Sequence, residues 1–202
     1  MNSLEDLLGA VQGSSVREQI GQNLRADSSA VNSAIEIALP AIMGGLAQNS
    51  QTVSGAAGID QALEKDHDGS LLESLSDYLQ GGVPSPANAN RQTDGSGILG
   101  HILGNASGPI AQEISKRTGL SAGQSANLLI TLAPIVMAYL GKQKKQNDLD
   151  TGSLSDLIQK RAQQTQRGGN PILDLATSAL DRDRDGSALD DLASMAADYF
   201  MK

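Results

Sequence analysis

Apolar side chains recur every three or four residues along two stretches of the chain, which is the spacing of one buried helix face. The two stretches are Val31, Ala34, Ile35, Ala38, Ile42 and Leu46, and Leu128, Leu129, Leu132, Ile135, Val136 and Tyr139. Pro40 and Pro134 lie inside them, and because proline removes one backbone hydrogen bond we expect a kink at each. No run of strand length alternates between apolar and polar residues. The pattern therefore predicts an all-α fold.

The two stretches lie in matching halves of the chain. When Ile20 is set on Ile114, Pro40 falls on Pro134 without a gap. Further along, ALEKDHDGSLLESL at 62–75 resembles ALDRDRDGSALDDL at 179–192. The same features follow in the same order, which indicates a duplicated unit that ends in a helix–loop–helix element.

The segment GGVPSPANANRQTDGSG, residues 81–97, separates the halves. It is rich in Pro, Gly, Asn and Ser and carries no apolar period, which is typical of a flexible linker. We therefore expect a first helical unit over residues 1–80, a flexible linker over 81–97, and a second helical unit with a C-terminal calcium-type loop over 98–202.

The composition limits the chemistry open to the chain. Its 202 residues include no Cys, which excludes disulfides, thiolate catalysis and cysteine-ligated metal centres. The core is expected to be aliphatic, because the aromatic residues are only Tyr78, Tyr139, Tyr199 and Phe200. The formal net charge of −8 argues against nucleic acid as a partner, since such binding usually requires a basic face.

The strongest candidate for chemistry is an acidic loop, DRDRDGSALDD, at residues 181–191. A calcium loop places acids at positions one, three and five, a glycine at position six and a backbone carbonyl at position seven. The candidate ligands are Asp181, Asp183, Asp185, Ser187, Asp190 and Asp191. The loop resembles an EF-hand or dockerin loop, although Leu192 stands at position twelve, where a glutamate is usual. The alternative is a plain turn, with Ser187 capping the next helix.

A weaker copy of this loop, EKDHDGSLLE, lies at residues 64–73. Its candidate metal ligands are Glu64, Asp66, Asp68, Ser70 and Glu73. Glutamate at position one is longer than the usual aspartate, and Ser70 with Glu73 has the spacing of a capping box, which needs no metal. Calcium is the one cofactor that the sequence predicts.

Other motifs favour structure over chemistry. GLSAG at 119–123 matches a hydrolase nucleophile elbow, but no His follows Ser121. Ser121, with Gln124, is better explained as a helix N-cap.

Residues 110–136 look like the opening helix–turn–helix of HU-type histone-like proteins. The resemblance implies a helix pair and a tendency to form dimers, but the basic arms that bind DNA are missing. His67 and His101 are isolated along the chain. We therefore expect no enzyme activity.

Two features bear on location. The start, MNSLEDLLGAVQG, lacks the basic and apolar regions of a signal peptide. The uncharged run at 121–141 is interrupted by Asn127, Thr131 and Pro134, which favours a buried core helix over a membrane span. We expect a cytoplasmic protein, with non-classical export left open.

The LLG starts, the TGLS-type turns, the apolar helices centred on LAP and the DRDRDGSALDDL tail together resemble a bacterial family, domain of unknown function 937. The resemblance covers most of the chain, and the tail loop is its most specific feature. It implies a bacterial source and a helical domain, and it supplies no activity and no catalytic residue.

The sequence thus favours a non-enzymatic helical interaction or structural module that binds calcium at its C-terminal loop. We expect a homo-oligomer, with a protein partner also open. The alternatives are a metal-independent protein that assembles into dimers or filaments, and an HU-like nucleoid-associated protein.

Overall fold

The computed structural model describes residues 13–81 and 90–166, and the regular structure of these residues is helical, with no strand among them. The helices are α1 (Ser14–Leu24), α2 (Ser28–Asn49), α3 (Val53–Lys65), α4 (Leu75–Gln80), α5 (Gly95–Leu103), α6 (Ser107–Thr118), α7 (Ala122–Asn147) and α8 (Thr151–Gln166). Two short 3₁₀ turns lie at Ser70–Leu72 and Gly104–Ala106. The all-α fold class is confirmed.

The two helices that precede α2 and α7 end in the same way. Arg25, at the end of α1, and Gly119, at the end of α6, both adopt a left-handed conformation, with φ of 52° and 78°. Ser121 then caps α7: its hydroxyl accepts the N–H of Gln124 at 3.2 Å, and the Gln124 side chain accepts the N–H of Ser121 at 2.7 Å. This reciprocal capping box confirms that Ser121 is a helix N-cap.

The helices α2 and α7 form the centre of the molecule. They pack against each other, and between them they also contact α1, α3, α5, α6 and α8. Pro40 and Pro134 are buried, and each helix continues on both sides of its proline. Both helices are long and apolar enough to pass a simple test for a membrane span, but 67% and 72% of the tested residues are buried inside the structure. Their apolar character therefore agrees with a role as core helices.

The sequence match pairs α1 with α6 through Ile20 and Ile114, and α2 with α7 through Pro40 and Pro134. Ile20 in α1 and its sequence partner Ile114 in α6 are both fully buried. The buried side chains of both units nevertheless belong to one hydrophobic cluster. Tyr78, from the first unit, donates its hydroxyl hydrogen to the carbonyl of Thr131 in the second at 3.3 Å. Within the described residues, the helices of the two predicted units therefore share one core.

The predicted linker, 81–97, extends too far at its C-terminal end. Asp94 caps α5 by accepting the N–H of Gly97 at 3.0 Å, so residues 95–97 form the first turn of a helix. Gly95 is buried against the backbone of α7, where a Cβ would overlap the carbonyl of Ile130. Glycine here permits a close helix–helix approach, whereas its presence in the sequence suggested flexibility. Residues 82–89 lie outside the described part.

Candidate functional site

The predicted C-terminal calcium loop lies outside the described residues. This applies to every candidate ligand of that loop, namely Asp181, Asp183, Asp185, Ser187, Asp190 and Asp191. Calcium binding at 181–191 therefore stays a prediction. The weaker copy at 64–73 lies inside the described part and shows how this type of segment folds here.

The first-copy loop turns sharply between α3 and the 3₁₀ turn at Ser70–Leu72. Gly69 has a φ of 97°, the left-handed conformation that glycine at position six of a calcium-type loop permits. A carboxylate oxygen of Asp68 accepts the N–H of Ser70 at 3.0 Å. Hydrogen bonds from Ser70, first from its side chain and then from its backbone, lower the pKa of Asp68. The turn is thus held by its own hydrogen bonds.

The acid at position one of this loop is paired with a lysine. Lys144 Nζ, on α7, lies 2.6 Å from Glu64 Oε1 and 2.9 Å from Asp60 Oδ1. The other carboxylate oxygen of Asp60 accepts the hydroxyl of Thr151 at 2.9 Å. Hydrogen bonds from Lys144 to Glu64 and Asp60 raise the pKa of Lys144. One ammonium group therefore joins α3 to α7, and Asp60 extends the network to α8.

No three His, Asp or Glu side chains within 13–81 and 90–166 are grouped so that they could hold a metal ion. The predicted weaker set of Glu64, Asp66, Asp68, Ser70 and Glu73 is therefore not assembled as a ligand shell in this structure. Calcium binding by this copy stays a prediction without an assembled site to support it.

The first-copy loop lies directly on α7 because glycines leave room for it. A Cβ at Gly141 would overlap the carbonyl oxygen of His67, and a Cβ at Gly69 would come within 2.8 Å of the Lys142 Cβ. This close approach carries the His67 side chain into the interior, where it is only 3% exposed.

Beside His67, a cavity of about 400 Å³ opens between α2, α3, α5 and α7. Its volume falls within the range of ordinary small-molecule sites. The walls are mainly aliphatic and consist chiefly of Leu46, Ile59, Ala62, Ile98, Ile102 and Met137. On the α3 side the wall is built of small residues, among them Ser54 and Gly58.

The cavity contains few polar side chains. Asn49 uses its amide hydrogens to bridge the ends of two helices, donating to the carbonyls of Gly45 at 3.0 Å and Ile102 at 2.9 Å. His67 differs, because its buried Nδ1 has no hydrogen-bond partner in the described part of the chain. Burial lowers the pKa of His67, and the smaller opposing effect comes from Asp66. The imidazole is therefore neutral near pH 7.

The two histidines are isolated along the chain but line one cavity in the fold. His67 and His101 both line this cavity, His67 in the interior and His101 at an exposed position on α5. They lie far apart along the chain, and the packing of the 66–70 turn and of α5 against α7 places both at the wall of this cavity. The one signal in the sequence was Gly141, a glycine inside an apolar helix, which marks a close backbone approach without naming its partner.

The HU-like segment, residues 110–136, is a helix pair, as its resemblance implied. It comprises most of α6, the turn at Gly119 and the first half of α7. The apolar residues of α7 are buried within the same chain, where they pack against α2, α3, α5 and α6. The pair is thus part of the intramolecular core, and the predicted dimer habit stays a prediction.

Comparison of the chain with curated proteins and with solved structures gave no match. The family described as bacterial protein of unknown function (DUF937) matches residues 6–143. The matched segment includes the first-copy loop and both histidines of the cavity, and it ends before the acidic loop at 181–191. The expectation that this loop is the most specific feature of the resemblance therefore receives no support from the match. Since the matched residues make up more than half of the chain, the protein belongs to the bacterial family DUF937.

Proposed function

We propose that the protein is a non-enzymatic helical interaction or structural module that binds calcium at its C-terminal DxDxDG loop. In this proposal the ion controls whether the last helical segment docks on the rest of the molecule. The supporting observation is the first copy of the element, in which a turn of the same type leads directly into a docked segment.

Docking of the first copy depends on apolar side chains just after the turn. Leu71, Leu75 and Leu79 are buried, and Tyr78 is buried with its hydroxyl bonded to the core helix α7. In the sequence match, Leu192 corresponds to Leu75, and Tyr199 corresponds to Tyr78 after four additional residues, about one helical turn. We propose that Leu189, Leu192, Met195 and Tyr199 dock in a similar manner.

The two copies differ in how their negative charge is balanced. In the first, Lys144 pairs with Glu64 and Asp60. The second concentrates Asp181, Asp183 and Asp185 at alternate positions, with Asp190 and Asp191 close behind. These carboxylates repel one another in the empty loop, and a calcium ion, which takes six to eight oxygen ligands, would relieve that repulsion. Binding free energy would then appear as folding stability.

The test is a thermal unfolding experiment on the full chain in EDTA, in millimolar calcium and in millimolar magnesium. We expect a calcium-specific rise in Tm. Calcium at ten times its Kd would contribute about 1.4 kcal/mol, which corresponds to a few degrees. The double variant Asp183→Asn/Asp185→Asn should lose this rise, while the matched change Asp66→Asn/Asp68→Asn in the first copy should keep it. An undiminished calcium effect in the first variant would rule out the proposed loop.

Metal-independent self-assembly is the competing explanation. Among the described residues, Val53 is the one large hydrophobic side chain that is exposed, and the apolar faces of α2 and α7 are used inside the chain. Assembly would therefore have to use other surfaces. Light scattering over a range of protein concentrations, with and without chelator, separates the two explanations. Assembly that is unchanged by the chelator would favour metal-independent self-assembly.

A further inference from the structure

We infer that the cavity between α2, α3, α5 and α7 is a binding site for a small uncharged molecule with an aliphatic body and one hydrogen-bonding group, which pairs with His67. This site is separate from the proposed calcium loop, and it is tested in the presence of chelator so that the two proposals succeed or fail independently.

The size and the walls of the cavity define the body of the ligand. A volume of about 400 Å³ exceeds the roughly 150 Å³ of an apolar cavity that holds benzene. An aliphatic chain of about eight carbons fits such a space. The wall residues Leu46, Ile98 and Met137 offer contact to methylene groups and provide no charge.

His67 defines the polar end of the ligand. The His67 side chain lines the cavity and is 3% exposed. Its Nδ1 is sealed inside the protein, so a ligand in the cavity would meet the ring away from that atom. A neutral imidazole carries one donor and one acceptor, so a hydroxyl group can satisfy it in either orientation.

The residues around the cavity also exclude a charged ligand. Among the described residues that line it, none is Asp, Glu, Lys or Arg, and the two ionisable side chains are His67 and His101. A carboxylate brought beside His67 would lose its hydration without gaining an opposite charge. We therefore expect an alcohol to bind and the corresponding carboxylate to bind poorly.

The mouth of the cavity offers a way to block it without disturbing the fold. Gly58, on α3, lines the opening, and a Cβ added there would meet no atom within 4 Å. Leucine at this position would project into open space and reduce the room for a ligand. Gly100 is the matched control, because it is exposed, lies in the interior of α5, does not line the cavity and also has open space around its Cβ. Both changes raise helix propensity by a similar amount.

The experiment titrates the full-length protein in EDTA at pH 7.5 with 1-octanol and, separately, with octanoate. Binding is followed by the NMR signals of the His67 imidazole and by calorimetry. We expect saturable 1-octanol binding that shifts the His67 signals, with octanoate at least tenfold weaker. Gly58→Leu should weaken 1-octanol binding at least tenfold, while Gly100→Leu leaves it unchanged. His67→Phe, which keeps the ring and removes both nitrogens, should weaken it about three- to tenfold.

Several results would overturn the inference. The first is an absence of saturable 1-octanol binding, including the case in which another part of the chain already fills the cavity. The second is equal binding of 1-octanol and octanoate. The third is equal loss of binding in Gly58→Leu and Gly100→Leu, since this would locate the ligand elsewhere. Because the Gly58 variant adds a side chain in open space, the test does not depend on whether the His67 variant folds.

Discussion

At the scale of single residues, burial sets the behaviour of the ionisable groups. Lys144 is 14% exposed, and its hydrogen bonds to Glu64 and Asp60 raise its pKa, so its charge persists at a packed junction of three helices. Tyr78 shows the same effect without a charged partner, because burial raises its pKa to about 12. Nδ1 of His67 has no hydrogen bond in the described part of the chain, and burial, which lowers the His67 pKa, outweighs the opposing charge of Asp66, so the fold accommodates the neutral form.

His67 should make the protein less stable in mild acid. Its pKa in the folded protein lies below the ordinary value of 6.5, because burial disfavours the charged form. Between about pH 6.5 and the lowered pKa, the unfolded chain takes up a proton that the folded chain resists, so the free energy of unfolding falls as the pH falls. Above about pH 6.5 both states are neutral and this contribution is constant.

Urea unfolding of the wild type and of His67→Gln between pH 7.5 and 5 measures this contribution. The wild-type free energy of unfolding should fall more steeply, by up to about 1.4 kcal/mol per pH unit beyond the slope of the variant. His101→Gln, a change at an exposed position lining the same cavity, serves as the comparison variant. Identical slopes in the wild type and in His67→Gln would show that His67 does not titrate as the structure implies.

At the scale of helices, glycine positions decide where elements touch. Gly141 lets the turn after α3 lie on α7, Gly95 lets α5 approach the same helix, and Gly45 lets α2 approach α5, where an added Cβ would come within 2.6 Å of the Leu103 side chain. These contacts enclose the cavity and carry His67 to it. A methyl group at any of them would have to displace backbone or a packed side chain.

Gly141→Ala should therefore destabilise the protein, although alanine is the better helix former. The helix-propensity gain is about 1 kcal/mol, while overpacking of this kind costs about 1–3 kcal/mol, so we expect a net loss. Gly100→Ala, in open space, should show the gain alone. Chemical denaturation of both variants gives the comparison, and a stabilised Gly141→Ala protein would mean that the 66–70 turn does not lie against α7.

The helices could be predicted from the sequence, whereas the contacts between them could not. The apolar stripes of α2 and α7 and the capping box at Ser121 follow from spacing within a few residues, and the structure contains them. The placement of His67 and His101 at one cavity depends on packing between segments that are far apart in the chain, which periodicity does not encode. The predicted C-terminal end of the linker was wrong for a related reason. A glycine gives the same local signal in a flexible segment as in a tight helix contact, and Gly95 lies in such a contact.

At the scale of the whole molecule, the shared core predicts that the two predicted units, called repeats below, unfold together. α2 and α7 pack against each other, and the residues that they bury belong to one cluster. Loss of packing in one repeat therefore removes contacts from the other. If each repeat instead had its own core, a destabilising change in α2 would leave α7 unaffected.

Ile35→Val in α2 distinguishes these cases, because Ile35 is fully buried and the loss of one methylene costs about 0.5–1.5 kcal/mol. With a shared core, the slowest-exchanging amides of α7 should exchange faster by the same free energy, about fivefold for a loss of 1 kcal/mol. Ile135→Val in α7 should act equally on α2, and Val53→Ala, at an exposed site, should change neither. Faster exchange confined to the helices of the mutated repeat would instead mean that the duplicated units fold separately, and the cavity would then lie between two independently folding bodies.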